Sequence, residues 1–239
     1  MIIKDILRNL LIFFHLDITK NLQYDRLTKI IMKKVINRTS NCIDIGCHKG
    51  EILNMMIRYA PEGKHYAFEP IPYFFAELEK RFKERASIFP YALSDRRGYS
   101  TFQFVKNAPA YSGLKRRKYD ISHPEIEEIT VEVKTLDEVI PMDEKIDFIK
   151  IDVEGAEFGV LKGAKKLLLQ NKPTILFECG KGASDYYGTN PHEIYEFLTQ
   201  EIGLKIFMLT ACIKNKFPLT KDEFEDCYQT NAEYYFVAK

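Results

Sequence analysis

The chain has 239 residues, which suits one generous domain, or one domain with an appendage, rather than two. Its 35 Lys and Arg against 34 Asp and Glu leave a formal net charge of +1, so no global field recruits nucleic acid or an anionic membrane surface. Hydrophobic residues make up 46%, with 14 Tyr and 17 Phe, which argues against a disordered chain and allows a large packed core.

Residues 1–39 carry apolar residues at helical spacing: Ile3, Ile6, Leu7, Leu10, Leu11 and Phe14, then Leu22, Leu27, Ile30, Ile31 and Val35. Two amphipathic helices are expected, forming a helical cap ahead of a main domain over 40–239. Such helices could cap a core, pair with a second copy as a homodimer, or touch a membrane; capping is the plain reading. The run "ILRNLLIFFHL" is too short to span a bilayer and lacks a small-residue cleavage site. Five cysteines, odd in number and without a C-x-x-C pair, argue against a disulfide framework. A cytoplasmic protein with no membrane span is expected.

From residue 41 the pattern alternates. "NCIDI" reads as a strand and "EILNMMIRYA" as a helix stopped by Pro61. "KHYAFEP" and "PYFFAELEKRF" repeat the unit, with Pro70 and Pro72 at the turn. "SIFPYALSD" reads as a third strand, and "IDFIKIDVEG" as a fourth, apolar enough to be covered on both faces. "EFGVLKGAKKLLL" is a helix, "PTILFECG" a fifth strand, "PHEIYEFLTQE" a helix, and "GLKIFML" and "AEYYFVA" two closing strands. The expected fold is α/β, a Rossmann-like, doubly wound, mostly parallel seven-stranded sheet. Residues 95–140 break the alternation and read as a β-rich insertion over the carboxyl edge, a lid or substrate segment.

In such sheets ligands bind beyond the carboxyl ends of the strands, where strand order reverses. The stretch "IDIGCHKGE" puts Asp44, Gly46, Cys47, His48 and Gly50 at that mouth. Gly46 permits a tight turn, and the amides opening the next helix are expected to point at a ligand. A dinucleotide fingerprint wants three glycines; His48 and Glu51 take the second and third positions and would crowd or repel a pyrophosphate. A ligand without phosphate fits better, such as S-adenosylmethionine (SAM). Glu69, ending the second strand before Pro70, is placed to accept hydrogen bonds from ribose hydroxyls. Adjacent Cys47 and His48 cannot easily ligate one ion, so no Cys/His metal site is expected.

"IDIGCHKGE", "YAFEPIPYFFAEL", "YALSD", "KTLDEV", "FIKIDVEGAEFGVLKGA" and "PTILFE" together resemble the FkbM family of SAM-dependent methyltransferases, in that family's order, over roughly residues 40–180. The chain departs from the family's Ala-Asn at Cys47-His48, which leaves the backbone cradle intact. The resemblance implies that Asp44, Gly46 and Gly50 line the methionine part of SAM, that Glu69 holds its ribose, and that Ala92, Leu93 and Ser94 flank its adenine. It implies a hydroxyl acceptor on a sugar, glycan precursor or other secondary metabolite. Tyr111 and Ser112 resemble a polar patch of the family, and Arg116 and Arg117 in "KRRK" would contact an acceptor phosphate or uronic acid.

Methyl transfer to an oxygen is an in-line displacement that needs a proton acceptor. Asp152 and Glu154 in "KIDVEGAE" are the first choices, with His123 of the insertion as one that could swing over the crevice and Glu178 on the same rim. Glu157 reads as favouring a helix N-terminus and Lys150 as structural. A divalent cation held by these carboxylates is possible but not favoured. The alternatives are an NAD(P)-linked oxidoreductase or epimerase and a non-catalytic nucleotide-binding module. Nucleic acid is not expected as acceptor, because no basic stripe is interleaved with aromatics.

Overall fold

The computed structural model describes residues 19–239. The first expected helix, over Ile3–Phe14, lies outside the described residues. The second is α1 (Lys20–Val35), capped by the Thr19 side chain, which accepts from Leu22 N. Two strand–helix units follow: β1 (Cys42–Ile45), α2 (Glu51–Tyr59), β2 (His65–Phe68), α3 (Pro72–Phe82) and β3 (Ser87–Phe89). The expected third strand is in fact two. Pro90 has no N–H to donate, and beyond it the chain leaves the main sheet as β4 (Tyr91–Leu93).

The insertion is β-rich: β5 (Gly98–Val105) and β6 (Ile126–Lys134) form an antiparallel ladder, and β4 pairs with β6 to complete a three-stranded sheet. The short α4 (Leu136–Val139) leads into β7 (Phe148–Ile151). The helix expected over 157–169 is broken at Ala164 into α5 (Glu157–Gly163) and α6 (Lys165–Asn171). Then come β8 (Thr174–Glu178), α7 (Pro191–Glu196), β9 (Ile206–Met208), α8 (Leu209–Ile213), α9 (Lys221–Thr230) and β10 (Tyr235–Ala238). Sequence reading missed α9, although Thr220 and Glu223 form its capping box.

The main sheet has seven strands in the order β3-β2-β1-β7-β8-β10-β9, parallel from β3 to β8, with β10 antiparallel to both neighbours. Strand order therefore reverses between β1 and β7, and the crevice opens at their carboxyl ends. Period-two alternation decides which side chains meet there. Ile43, Ile149, Ile151, Ile175, Phe177 and Phe236 belong to one core, with the helices that follow β7 and β8. Cys42, Phe148, Leu176 and Val237 belong to the core that contains α1 through Tyr24, Leu27, Ile31 and Met32. Two residues beyond Cys42, Phe148 and Leu176 stand Asp44, Lys150 and Glu178; two before Val237 on the antiparallel strand stands Tyr235. The polar residues thus share the α1 face, at its carboxyl edge.

Each fully buried apolar side chain of α1 contributes roughly 1.5–3 kcal/mol. That face of α1 packs against the main sheet through Tyr24, Leu27, Ile31 and Met32. Among the described residues no helix is long and apolar enough to cross a membrane.

Candidate active site

A cleft of about 1140 Å³ lies over this edge. One end is the glycine turn. Gly46 (φ +76°) and Gly50 (φ +75°) both sit in the left-handed region, and so does His48 (φ +50°). A Cβ on Gly46 would overlap the Asp152 carbonyl, so the turn lies directly against the end of β7.

The turn's own amides are spent within the fold. Gly46 N and Cys47 N both donate to the Phe68 carbonyl at 3.1 Å, Gly50 N donates to Cys47 O, and His48 N donates to Glu69 Oε2 at 2.7 Å. A phosphate cradle needs those N–H groups free. Glu69 is buried, and its other oxygen accepts from Ile71 N at 2.9 Å. Burial pushes its carboxyl up to about 7 against the pull of these two amides. Glu69 and Pro70 line the cleft.

Asp44 is under the wall, not on it. It is fully buried, and burial raises its carboxyl, offset first by Lys150 and then by the Cys47 thiol and the Leu53 N–H. Cys47 packs its thiol among Leu53, Leu78 and Phe82, and burial lifts the thiol well above its usual value. The His48 ring rests on Phe74 at 4.4 Å, and burial, then Lys49 and Lys150, lowers it to about 4. The imidazole is therefore neutral at pH 7, and its buried Nε2 is unpaired. Ala92 and Leu93 line the cleft with Tyr91 and Phe102; Ser94 does not, because it packs against Gly159 and Gly163 of α5.

Lys150 is the hub of the edge. Its ammonium, almost fully buried, donates to Gly46 O at 3.1 Å and faces Asp152 Oδ2 at 3.3 Å and Asp44 Oδ1 at 3.6 Å. Burial alone would lower it, yet Asp152 and Asp44 hold it above the ordinary lysine value. Tyr235 donates to the same Asp152 Oδ2 at 3.2 Å. Sequence reading missed Tyr235, for nothing in spacing links it to position 152. The link is the antiparallel ladder that sets Tyr235 opposite Glu178.

Glu154 (φ +59°) is tied by an ion pair to Arg117, which also donates to Gly182 O at 3.2 Å. The guanidinium lies 5.2 Å from the Tyr111 ring and 5.7 Å from Tyr119. Burial, then Asp152, raises Glu154 to about 8. Glu178 is raised well above normal by burial and then by Asp152, Glu154 and Glu157. Glu157 accepts from Val153 N (2.9 Å) and Gly155 N (3.2 Å), which fixes the loop between β7 and α5; burial brings it to about 7.

The insertion's candidates separate. Tyr111, Ser112 and Arg117 all line the cleft, although Ser112 is largely buried and its hydroxyl accepts from Val105 N. Arg116 is exposed and off the cleft wall, so only one arginine of "KRRK" reaches the site. His123 is also exposed and off the wall; its carbonyl accepts from Asn107, which anchors the loop elsewhere and removes it from the candidate bases. Among the described residues no three His, Cys, Asp or Glu side chains come together to hold a metal ion.

A family model described as the methyltransferase FkbM domain matches residues 44–205. The chain is 28% identical over 144 residues to the 2-O-methyltransferase NoeI of Sinorhizobium fredii (strain NBRC 101917 / NGR234), which covers 54% of this chain and 59% of that protein. The solved methyltransferase FkbM from Methylobacillus flagellatus KT aligns with a TM-score of 0.52 at 15% identity, covering 91% of this chain and 52% of the other. The chain thus spans about three-fifths of the curated relative's length and about half of the solved one's. The structural likeness carries the Rossmann-like fold, and the family match covers both the glycine turn and the Asp152 loop. This chain belongs to the FkbM methyltransferase family.

Proposed function

We propose that this protein is a SAM-dependent methyltransferase that methylates a hydroxyl of a sugar or another small metabolite. The observation that carries the reading is Lys150. One buried ammonium joins the carbonyl of the glycine turn to the carboxylate at the end of β7. Cofactor end and basic end are thereby fixed to each other, which is how positioning lowers a barrier.

The residues present suit a phosphate-free nucleoside joined to an amino acid. The glycine turn spends the amides of Gly46, Cys47, His48 and Gly50 within the fold, Glu69 offers lone pairs to ribose, and Tyr91, Ala92, Leu93 and Phe102 offer an apolar wall for adenine. A dinucleotide would find no free amide cradle. When bound, SAM supplies an electrophilic methyl group on a sulfonium, which departs as a neutral thioether.

This chain's own part is to orient the acceptor oxygen and take its proton. Lys150 and Tyr235 both engage Asp152 Oδ2, so Oδ1 has no partner among the described residues and is the atom that accepts the proton. Glu154, already paired with Arg117, shapes the wall instead. The curated relative's name, a 2-O-methyltransferase, supports oxygen as the methylated atom.

The test is incubation with SAM and a panel of sugars and sugar nucleotides, with mass detection of the added methyl. Asp152→Asn should lower kcat by about 10²–10⁴-fold while S-adenosylhomocysteine still binds. Full turnover in that variant would remove Asp152 as the base.

A further inference from the structure

The cleft is larger than the roughly 300–1,000 Å³ typical of a pocket for one small ligand, and its walls divide by chemistry. The glycine turn, Glu69 and the β4 side form one half. The other half is built at the ends of β7, β8 and β10 and roofed by the start of α1.

We propose that this second half is the acceptor's seat and takes an uncharged pyranose ring, packed against Tyr234 and Tyr235, which Tyr24 backs, with its hydroxyls on Asp152 and Glu178. The proposal rests on the methyltransferase reading and names the acceptor class at the same site.

Three observations lead there. The first is an aromatic corner. Tyr24 stacks on Tyr235 at 5.5 Å and 29°, and meets Tyr234 edge-on at 4.8 Å and 80°. A pyranose has a face of C–H bonds that packs on such rings and an equatorial rim of hydroxyls that does not. Tyr234 and Tyr235 are half-buried and line the cleft, so ring surface remains for a ligand.

The second is the polar partner set. Across the β8–β10 ladder Tyr235 stands directly opposite Glu178, so ring and carboxyl lie side by side on one face. Glu178 has no hydrogen-bond partner among the described residues, whereas Tyr24 and Tyr234 are oriented by Glu233 (2.6 Å) and Asn21 (2.7 Å). Rigid aromatics beside an unsatisfied carboxyl suit a polyhydroxylated ring.

The third is charge. Asp152, Glu154 and Glu178 all line this half, and the two cations among them are committed: Lys150 to Gly46, Asp44 and Asp152, Arg117 to Glu154 and Gly182. No deep cation is left for a carboxylate or phosphate on the ring. Lys118 and Lys181 stand at the exposed rim, where they reach a distal group only. The contact expected from Arg116 and Arg117 to a uronic acid is therefore replaced by exclusion of one.

The experiment is saturation-transfer NMR on protein loaded with S-adenosylhomocysteine, using methyl β-D-glucopyranoside and D-glucuronate as probes. The neutral glycoside should show transfer to its ring protons, and glucuronate little or none. Tyr234→Ala should weaken the glycoside signal about five-fold, as expected for one aromatic contact. Glu178→Ala, which removes a hydroxyl partner rather than an aromatic face, should also weaken the glycoside signal several-fold, and it tests the seat should Tyr234→Ala fail to fold. Glucuronate binding as well as the glycoside, silence from both probes, or indifference to both variants would overturn the proposal. A calorimetric titration of S-adenosylhomocysteine on the same samples separates the two levels. No heat there removes the methyltransferase reading as well; normal heat with a failed sugar result removes the pyranose seat alone.

Discussion

Asp152 was legible because an acid at the end of a strand next to the reversal point faces the crevice rather than the core. Lys150 was undervalued. A lysine in an apolar strand reads as structural, and only the fold shows it neutralising two carboxylates while holding the glycine turn. His123 failed as a base for the opposite reason, since sequence cannot say which way a loop faces. Replacing Lys150 with Met would leave Asp44 buried without its counter-charge, a defect worth about 3–5 kcal/mol. Thermal melts should therefore show a strongly destabilised Lys150→Met, and Asp44→Asn in the same chain should recover part of the loss. An unchanged melting temperature would mean that the ion pairs contribute little.

At the scale of elements, hydrophobic periodicity located most strands and helices, and the exceptions each have a local cause. Pro90 splits one strand between two sheets. The helix breaks at Ala164 (φ −108°, ψ 7°), next to Gly163, which lies so close to the Ser94 carbonyl that a Cβ there would overlap it. The glycine turn was readable as a turn but not as one whose amides are spent on Phe68 and Glu69, because those partners come from the next strand. Gly46→Ala would meet both the φ penalty and the Asp152 carbonyl. A loss on the order of 3 kcal/mol and of S-adenosylhomocysteine binding is expected by denaturant titration and calorimetry. Normal stability would refute the close approach.

The loop between β7 and α5 offers a pH test. Glu157 has its folded value raised to about 7 from an ordinary 4.5, so its protonated form is favoured by folding. Its contribution is fully present below about pH 4.5 and is lost as pH rises through 7. Glu157→Gln keeps the acceptor for Val153 and Gly155 but does not titrate. The melting temperature of the variant minus that of the wild type should therefore increase between pH 5 and 8. A flat difference would show that Glu157 is ionised at no cost. His48 acts in the other direction, its penalty growing as pH falls below 6.5 towards 4, and is common to both proteins.

For the molecule as a whole, alternation of strand and helix was enough to place a doubly wound sheet, and the reversal between β1 and β7 was enough to place the crevice. The reach of α1 and β10 into that crevice was not legible. Their residues lie some 210 positions apart, as the Tyr24–Glu233 and Tyr234–Asn21 bonds show. No periodicity reports such a pairing; it follows from β10 running antiparallel beside β8 and from α1 covering the same face. The resulting cleft joins a phosphate-averse turn to a carboxylate held by Lys150 and Tyr235. Calorimetric titration of the purified full chain with S-adenosylhomocysteine, and separately with NAD, addresses that arrangement directly. Saturable one-to-one binding of S-adenosylhomocysteine with no heat from NAD is expected, and uptake of NAD with no response to S-adenosylhomocysteine would contradict it.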